Sequence, residues 1–352
     1  MRAHRFAPGL VCLLACGTLV LAGCGGGSSS SSHVDQGAES GTSRPAPPKS
    51  AFPATEGRTL AELVEDEAKV QATVKVSASA EAFYPGTERY PFLVSEKVGG
   101  GKQGKEVTDA EVAIYYSEVS KVKPGAQKAW QRPAVGPFPA SIESLATKPE
   151  FQGKTTTEAP NVASVVYAAQ LPFPSEGEYK IVALIKEKGG LARKTLGSLH
   201  VGEFEKIPVT GQKAPSIQTP TAKSVDGDLA KISTRVPPDT LNKVNYADVL
   251  GKEPILLLFT TPKFCQSRVC GPAVDVAEQV QHEFEGKANF IHMEIYNDND
   301  PSKGVRPQVR RFHLPTEPWL FAINREGVVG ATIEGAFGTN LMRKTVERVI
   351  SE

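Results

Sequence analysis

From Val70 to Ala80 the chain places small or β-branched apolar residues at every even position and polar ones between, and this strict period of two predicts a strand with one wet face. Further strand-like runs cover Tyr90–Val94, Val112–Tyr116, Ser164–Leu171, Tyr179–Ile185 and Thr195–Val201. Turn signals at Pro85-Gly86, Gly99-Gly-Gly101, Pro124-Gly125 and Gly189-Gly190 separate them. Short strands with no convincing helix between them predict an antiparallel β-sandwich. After Lys206-Ile-Pro208 the period changes. Strand Ile255–Phe259 is followed by helix Pro272–Phe284, strand Phe290–Tyr296, a short helix near Gln308, strands Trp319–Ile323 and Val328–Ile333, and helix Asn340–Ile350. The last helix carries Met342, Val346, Val349 and Ile350 on one stripe, with Thr339 or Asn340 as its cap. This order predicts an α/β domain with a mixed central sheet and helices on both faces.

At 352 residues the chain has room for two cores, and the expected division is an all-β sandwich over 66–204 and an α/β domain over 210–352. Ahead of them, residues 1–24 combine the basic Arg2 and Arg5 with an apolar run from Leu10 to Ala22, the pattern of a secretory signal and too short to span a bilayer well. Its end, Leu21-Ala-Gly-Cys24, resembles the lipobox of bacterial lipoproteins. That resemblance implies cleavage after residue 23, lipidation of Cys24 and an extracytoplasmic protein held on the membrane by the anchor. Residues 24–60 are Gly/Ser-rich and then Pro-rich, so a flexible tether is expected there. Charge excludes little beyond nucleic acid: without the first 23 residues, 38 basic side chains face 39 acidic ones, which provides no basic field.

Three of the five cysteines, Cys12, Cys16 and Cys24, fall in or at the end of the signal segment, leaving Cys265 and Cys270 alone in the folded body to pair or to bind something. They follow the apolar run from Ile255 to Phe259 and precede Gly271-Pro272, so a strand, a cysteine-bearing turn and a helix N-terminus are expected in succession. Two residues i and i+5 of one regular helix lie too far apart for a disulfide, so a bond between them requires that part of the segment be loop.

The second half resembles the thioredoxin-like proteins grouped with peroxiredoxins and membrane-anchored thiol-disulfide reductases. The likeness rests on Gly211-Gln-Lys-Ala-Pro215, on Leu250-Gly-Lys-Glu-Pro254 leading into the central strand, and on Pro318-Trp-Leu-Phe-Ala-Ile-Asn-Arg-Glu-Gly327, with Asn324 where the family has Asp. It implies a thioredoxin-like fold, a cis-proline at Pro318 (Pro315 being the competitor) and thiol-disulfide exchange on exported proteins through Cys265, Cys270 and Pro318. No cofactor is expected. The family's Cys-x-x-Cys is not kept. Either Cys265 is the nucleophile and Cys270 resolves, or Cys270-Gly-Pro-Ala273 occupies the motif and Cys265 resolves from upstream. Pro272 as a first helical residue favours a low thiol pKa at Cys270. The family's buried acid on the central strand is also missing.

The sandwich resembles immunoglobulin-like domains only in Gly177-Glu-Tyr179, where those domains place a corner tyrosine. With His200 alone and scattered carboxylates it reads as a spacer or partner-binding module, and Trp130–Phe138 as a contact loop or a loop packed on the edge. Other chemistries remain open. A peroxiredoxin needs a proline one position from Pro262 relative to Ser267 and Cys270; a Cu(I) chaperone would use Cys265, Cys270 and His313, since thiolates favour Cu(I); a structural disulfide in a non-enzymatic binding lipoprotein needs nothing more. His282 reads as a solvent-facing helix residue and His292 as an alternate-face strand residue.

Overall fold

The computed structural model describes residues 41–352 except 100–102, 120–128, 159–161, 203, 205 and 266–267. The expected signal segment and the expected lipidation position, Cys24, therefore lie outside the described residues. Fourteen strands are present among them: β1 Val70–Gln71, β2 Val74–Ala78, β3 Gly86–Lys97, β4 Gln103–Glu106, β5 Val112–Glu118, β6 Val135–Pro139, β7 Ser141–Ser144, β8 Val165–Phe173, β9 Gly177–Glu187, β10 Gly190–Val201, β11 Ile255–Thr260, β12 Asn289–Glu294, β13 Trp319–Ile323 and β14 Val329–Glu334. The helices are α1 Leu60–Glu67, α2 Lys154–Thr157, α3 Tyr246–Val249, α4 Cys270–Glu283, α5 Pro307–Arg311 and α6 Thr339–Ser351.

Strands β1 to β10 form two sheets, ordered β1-β10-β9-β5-β6 and β2-β3-β8-β7 with β4 beside β3. Their inner faces meet in one core: Val76, Tyr90, Phe92, Val94, Tyr167 and Leu171 from one sheet, Val112, Ile114, Tyr116, Ile181, Ala183 and Ile185 from the other. The predicted strand at Val70–Ala80 is interrupted, because β1 pairs with β10 in one sheet and β2 with β3 in the other. Tyr179 donates its hydroxyl to the Ser175 carbonyl four residues upstream, at 2.7 Å.

Two features were not expected. Helix α1 is closed by a capping box, the Thr59 side chain accepting from the Glu62 N–H while Glu62 reaches back to the Thr59 N–H. Its Leu60, Leu63 and Val64 cover Ala113, Tyr115, Val182 and Leu184 on the outer face of β5 and β9. These strands are apolar on both faces because both faces are covered. Second, part of the Trp130–Phe138 stretch is sheet: β6 pairs with β5, and Phe138 is buried against Tyr116 in a stacked pair at 5.6 Å.

The tether expected over 24–60 does not persist from Gly41 onward. Arg44 bridges Ile142, Phe52 is buried, and the Pro53 carbonyl accepts from the Tyr115 hydroxyl at 2.8 Å. Gly41 passes so close to Val165 that a Cβ there would overlap its Cγ1.

The α/β part has the sheet order β12-β11-β13-β14, with β11 parallel to β12 and antiparallel to β13, which is antiparallel to β14. Both faces are buried. Ile255, Leu257, Phe259, Ile291, Met293 and Phe321 pack beneath Tyr246, Val309 and Phe312; Leu256, Leu258, Phe290 and Leu320 pack under α4 and α6 through Ala273, Ala277, Val280, Met342 and Val346. Burial on both sides explains why β11 is a continuous apolar run rather than an alternating one. Helix α6 starts after Gly338 with no side-chain cap, so neither Thr339 nor Asn340 has the capping role foreseen for it.

Ser40–Glu352 clusters as one compact unit, and the boundary expected at 204–210 is not a bare linker: Ile207 is buried, and Phe204 packs into the same core as Tyr246 and Phe259. A second junction lies around Val269 and Ala336, which pack with Leu145, Ala163 and Val166 of the sandwich. Among the described residues no helix is long and apolar enough to cross a membrane.

Candidate active site

Strand β11 ends at Thr260 and the chain turns through Thr261–Phe264 to Cys265; Arg268 takes a positive φ of 65° before Val269 caps α4. Cys270 is the first residue of that helix. Because Cys265 sits in the turn rather than on the helix, the two Cα atoms come to 5.9 Å and the sulfurs are bonded. Cys265 is half-buried, whereas Cys270 is fully buried, as are Gly271 and Pro272. Of the two residues, Cys265 is therefore the one with exposure to solvent.

The Glu317–Pro318 peptide is cis, and Pro318 leads into β13. Glu317 is brought beside the cysteines: one of its carboxylate oxygens and the two sulfurs all lie within 4.8 Å of one another. It is half-buried, and burial holds its carboxyl above the ordinary carboxylate range. Tyr296 is raised as well, by burial first and then by the charge of Glu317. Among the described residues this is the single cluster with ligand-type spacing, and with its sulfurs joined to each other neither offers a thiolate, so in this state it is not a metal site. His313, expected as the third Cu(I) donor, is not part of the cluster. It follows the short α5 in a left-handed conformation (φ 55°) and is exposed on a surface pocket with Val305, Val309, Arg310 and Leu314.

Behind the site lies a buried charged group that sequence reasoning did not foresee. His292 is the alternate-face strand residue expected, on β12, but it is fully buried and paired, with Nδ1 2.7 Å from Asp239 Oδ2 and Nε2 3.2 Å from the Thr260 carbonyl. Burial opposes its charge, but Asp239 outweighs burial through charge and hydrogen bond, with help from Glu294 and the Thr260 carbonyl, so the imidazole is pushed up to about 9. Glu294 accepts from the Thr234 N–H at 2.6 Å, and Asp239 also binds the Ser233 hydroxyl at 2.5 Å. The Thr260 hydroxyl donates to the Cys270 carbonyl at 3.4 Å, linking the end of β11 to the first residue of α4.

The other side of α4 is tied to the segment between β7 and β8. Asp275, 1% exposed, accepts from Arg235 Nε at 2.8 Å and from the Gly153 N–H at 3.2 Å, and Arg235 Nη2 donates to the Phe151 carbonyl at 2.8 Å. A Cβ on Gly271 would lie 2.8 Å from Thr156 Oγ1 of α2. Gly271 is therefore covered by sandwich-derived chain rather than by solvent.

No family model matches the chain, and no curated protein matches it. Among solved structures it is similar to a crystal structure titled as a thiol:disulfide interchange protein, thioredoxin family protein, from Chlorobium tepidum TLS, at 16% sequence identity over 42% of this chain and 99% of that one, with a TM-score of 0.27.

The cysteine pair was legible, and the peptide bond expected to be cis before Pro318 is cis. Glu317 was not singled out, although it stands immediately before that proline. Asp239 had no signal at all, lying in a Pro-rich loop, Val236-Pro-Pro-Asp239, with no periodicity.

Proposed function

We propose that this protein is a thiol-disulfide oxidoreductase of thioredoxin-like fold, held outside the cytoplasm by a lipid on Cys24, that exchanges disulfides with exported proteins. The observation that supports it most is the accessibility gradient across the Cys265–Cys270 bond, half-buried on one side and closed on the other, at the junction of a central strand and a helix N-terminus. A staple is most useful when it closes a long loop, and a bond between residues five apart constrains little of the unfolded chain. Cys265 is the exchanging sulfur and Cys270 the resolving one. The sandwich, read as immunoglobulin-like, serves as spacer and as cover for the helix.

The test is a redox titration followed by alkylation, with each single cysteine variant alongside. The expected midpoint lies well above about −300 mV, where structural disulfides sit. Cys270→Ser should trap a mixed disulfide through Cys265, and Cys265→Ser should alkylate at least tenfold more slowly in the folded state. A midpoint below that bound with no trapped species from either variant refutes the proposal.

A further inference from the structure

We infer that Glu317 is the proton-transfer group of the cysteine pair, taking the proton from the Cys270 thiol when that thiol resolves a mixed disulfide on Cys265. This rests on the exchange chemistry proposed above and adds a residue to it.

The geometry points to it from three directions. A resolving thiol enclosed in protein cannot hand its proton to bulk water directly, and Cys270 is fully buried. The central strand β11, Ile-Leu-Leu-Leu-Phe-Thr, carries no acid or base. The buried charged group at the end of that strand is already engaged: His292 is held between Asp239 and the Thr260 carbonyl, and Thr260 reaches the Cys270 main chain rather than its sulfur. Among the described residues Glu317 alone offers a carboxylate oxygen within 4.8 Å of both sulfurs. The half-buried position keeps it in reach of solvent for recharging. The other titratable group shown to feel its charge is Tyr296.

The Cys265 thiolate attacks one sulfur of a substrate disulfide, forming Cys265–S–S–R and releasing the other sulfur as a thiolate. The Glu317 carboxylate then accepts the Cys270 proton; Cys270 sulfur attacks Cys265 sulfur, the Cys265–Cys270 bond forms, and the R thiolate leaves with the electron pair. The protonated Glu317 returns its proton to that thiolate or to water. In the opposite direction the same carboxyl gives its proton to the Cys270 thiolate as the mixed disulfide forms.

Reduced protein carrying Cys12→Ala, Cys16→Ala and Cys24→Ala, so that Cys265 and Cys270 are its only thiols, separates the two steps when mixed with Ellman's reagent, because the attack of Cys265 releases one coloured thiolate and the resolution by Cys270 releases the second. General acid–base groups typically contribute about a hundredfold or more. Glu317→Gln should slow the second phase by at least tenfold below the Cys270 thiol pKa, the loss fading as pH rises, while the first phase, which needs no proton from Cys270, is not slowed. Removing a negative charge from beside the sulfurs should also lower that thiol pKa in the Cys265→Ser background, a change in the opposite sense to the slower rate. Glu317→Asp should recover part of the second phase. If wild type shows no second phase, exchange itself fails and this inference with it. A normal second phase with the wild-type pH profile in Glu317→Gln overturns the inference alone, and so does a slowing that is the same at every pH, which marks a merely structural role.

Discussion

Replacing Asp275 by alanine isolates what holds α4 to the sandwich. The carboxylate is 1% exposed and the guanidinium of Arg235 5% exposed, with Nε and Oδ1 2.8 Å apart. Unit charges about 4 Å apart at an effective dielectric near 20 attract by about 4 kcal/mol, offset by the desolvation of both. Burial is the first influence on the Asp275 carboxyl and raises it, while Arg235 pulls it back down. The intact pair is therefore close to neutral against an apolar pair, but its half is not. Asp275→Ala leaves a buried cation with its Nε unpaired and orphans the Gly153 N–H, and breaking such a pair costs about 3–5 kcal/mol. Urea unfolding of the full chain and of Arg235→Met, Asp275→Ala and the double variant closes a thermodynamic cycle. The expected result is a fall of about 3 kcal/mol or more for Asp275→Ala, a double variant less damaged than that single one, and faster alkylation of reduced Cys270 as the Gly153–Thr157 segment loosens from α4. A loss below about 1 kcal/mol, or additivity of the two singles, refutes the assignment of the cost to an uncompensated Arg235.

Two further perturbations follow from the site and its surroundings. His292 has its folded-state pKa raised from 6.5 to about 9. Its contribution, about 3 kcal/mol by linkage, is present in full below pH ~6.5 and is lost as pH rises through about 9. Unfolding measured across that window should show the loss in wild type and a flatter curve in His292→Gln; equal slopes would sink the argument. Cys24→Ala, expressed in a bacterium that processes lipoproteins, should move the protein from the detergent phase to the aqueous phase, and unchanged partitioning counts against the anchor.

How much of this was legible before the fold differs from element to element. The α/β half was readable because its signals are local: the unbroken run Ile255–Thr260, the stripe on α6 and the order of strand and helix need only neighbours in sequence. Helix α1 was also legible, through Thr59 and Glu62, and was overlooked because the alternating strands around it dominated the pattern. Strand β6 was hidden by Pro133, Pro137 and Pro139, which argue against a strand until its place at the edge of the sheet is known.

The sequence by itself determined that two cysteines remain in the folded body, that they flank a turn between a strand and a helix, and that a proline follows at a distance set by the third strand. Tertiary structure alone decided which cysteine faces outward, that Glu317 rather than His313 stands beside them, and that His292 is buried with Asp239. The reason is physical. Period and propensity report which face of an element is apolar, but the exposure and charge of a side chain depend on what covers that face. Here the cover comes from chain more than one hundred residues away in sequence: Gly153 lies 122 residues from the Asp275 it binds.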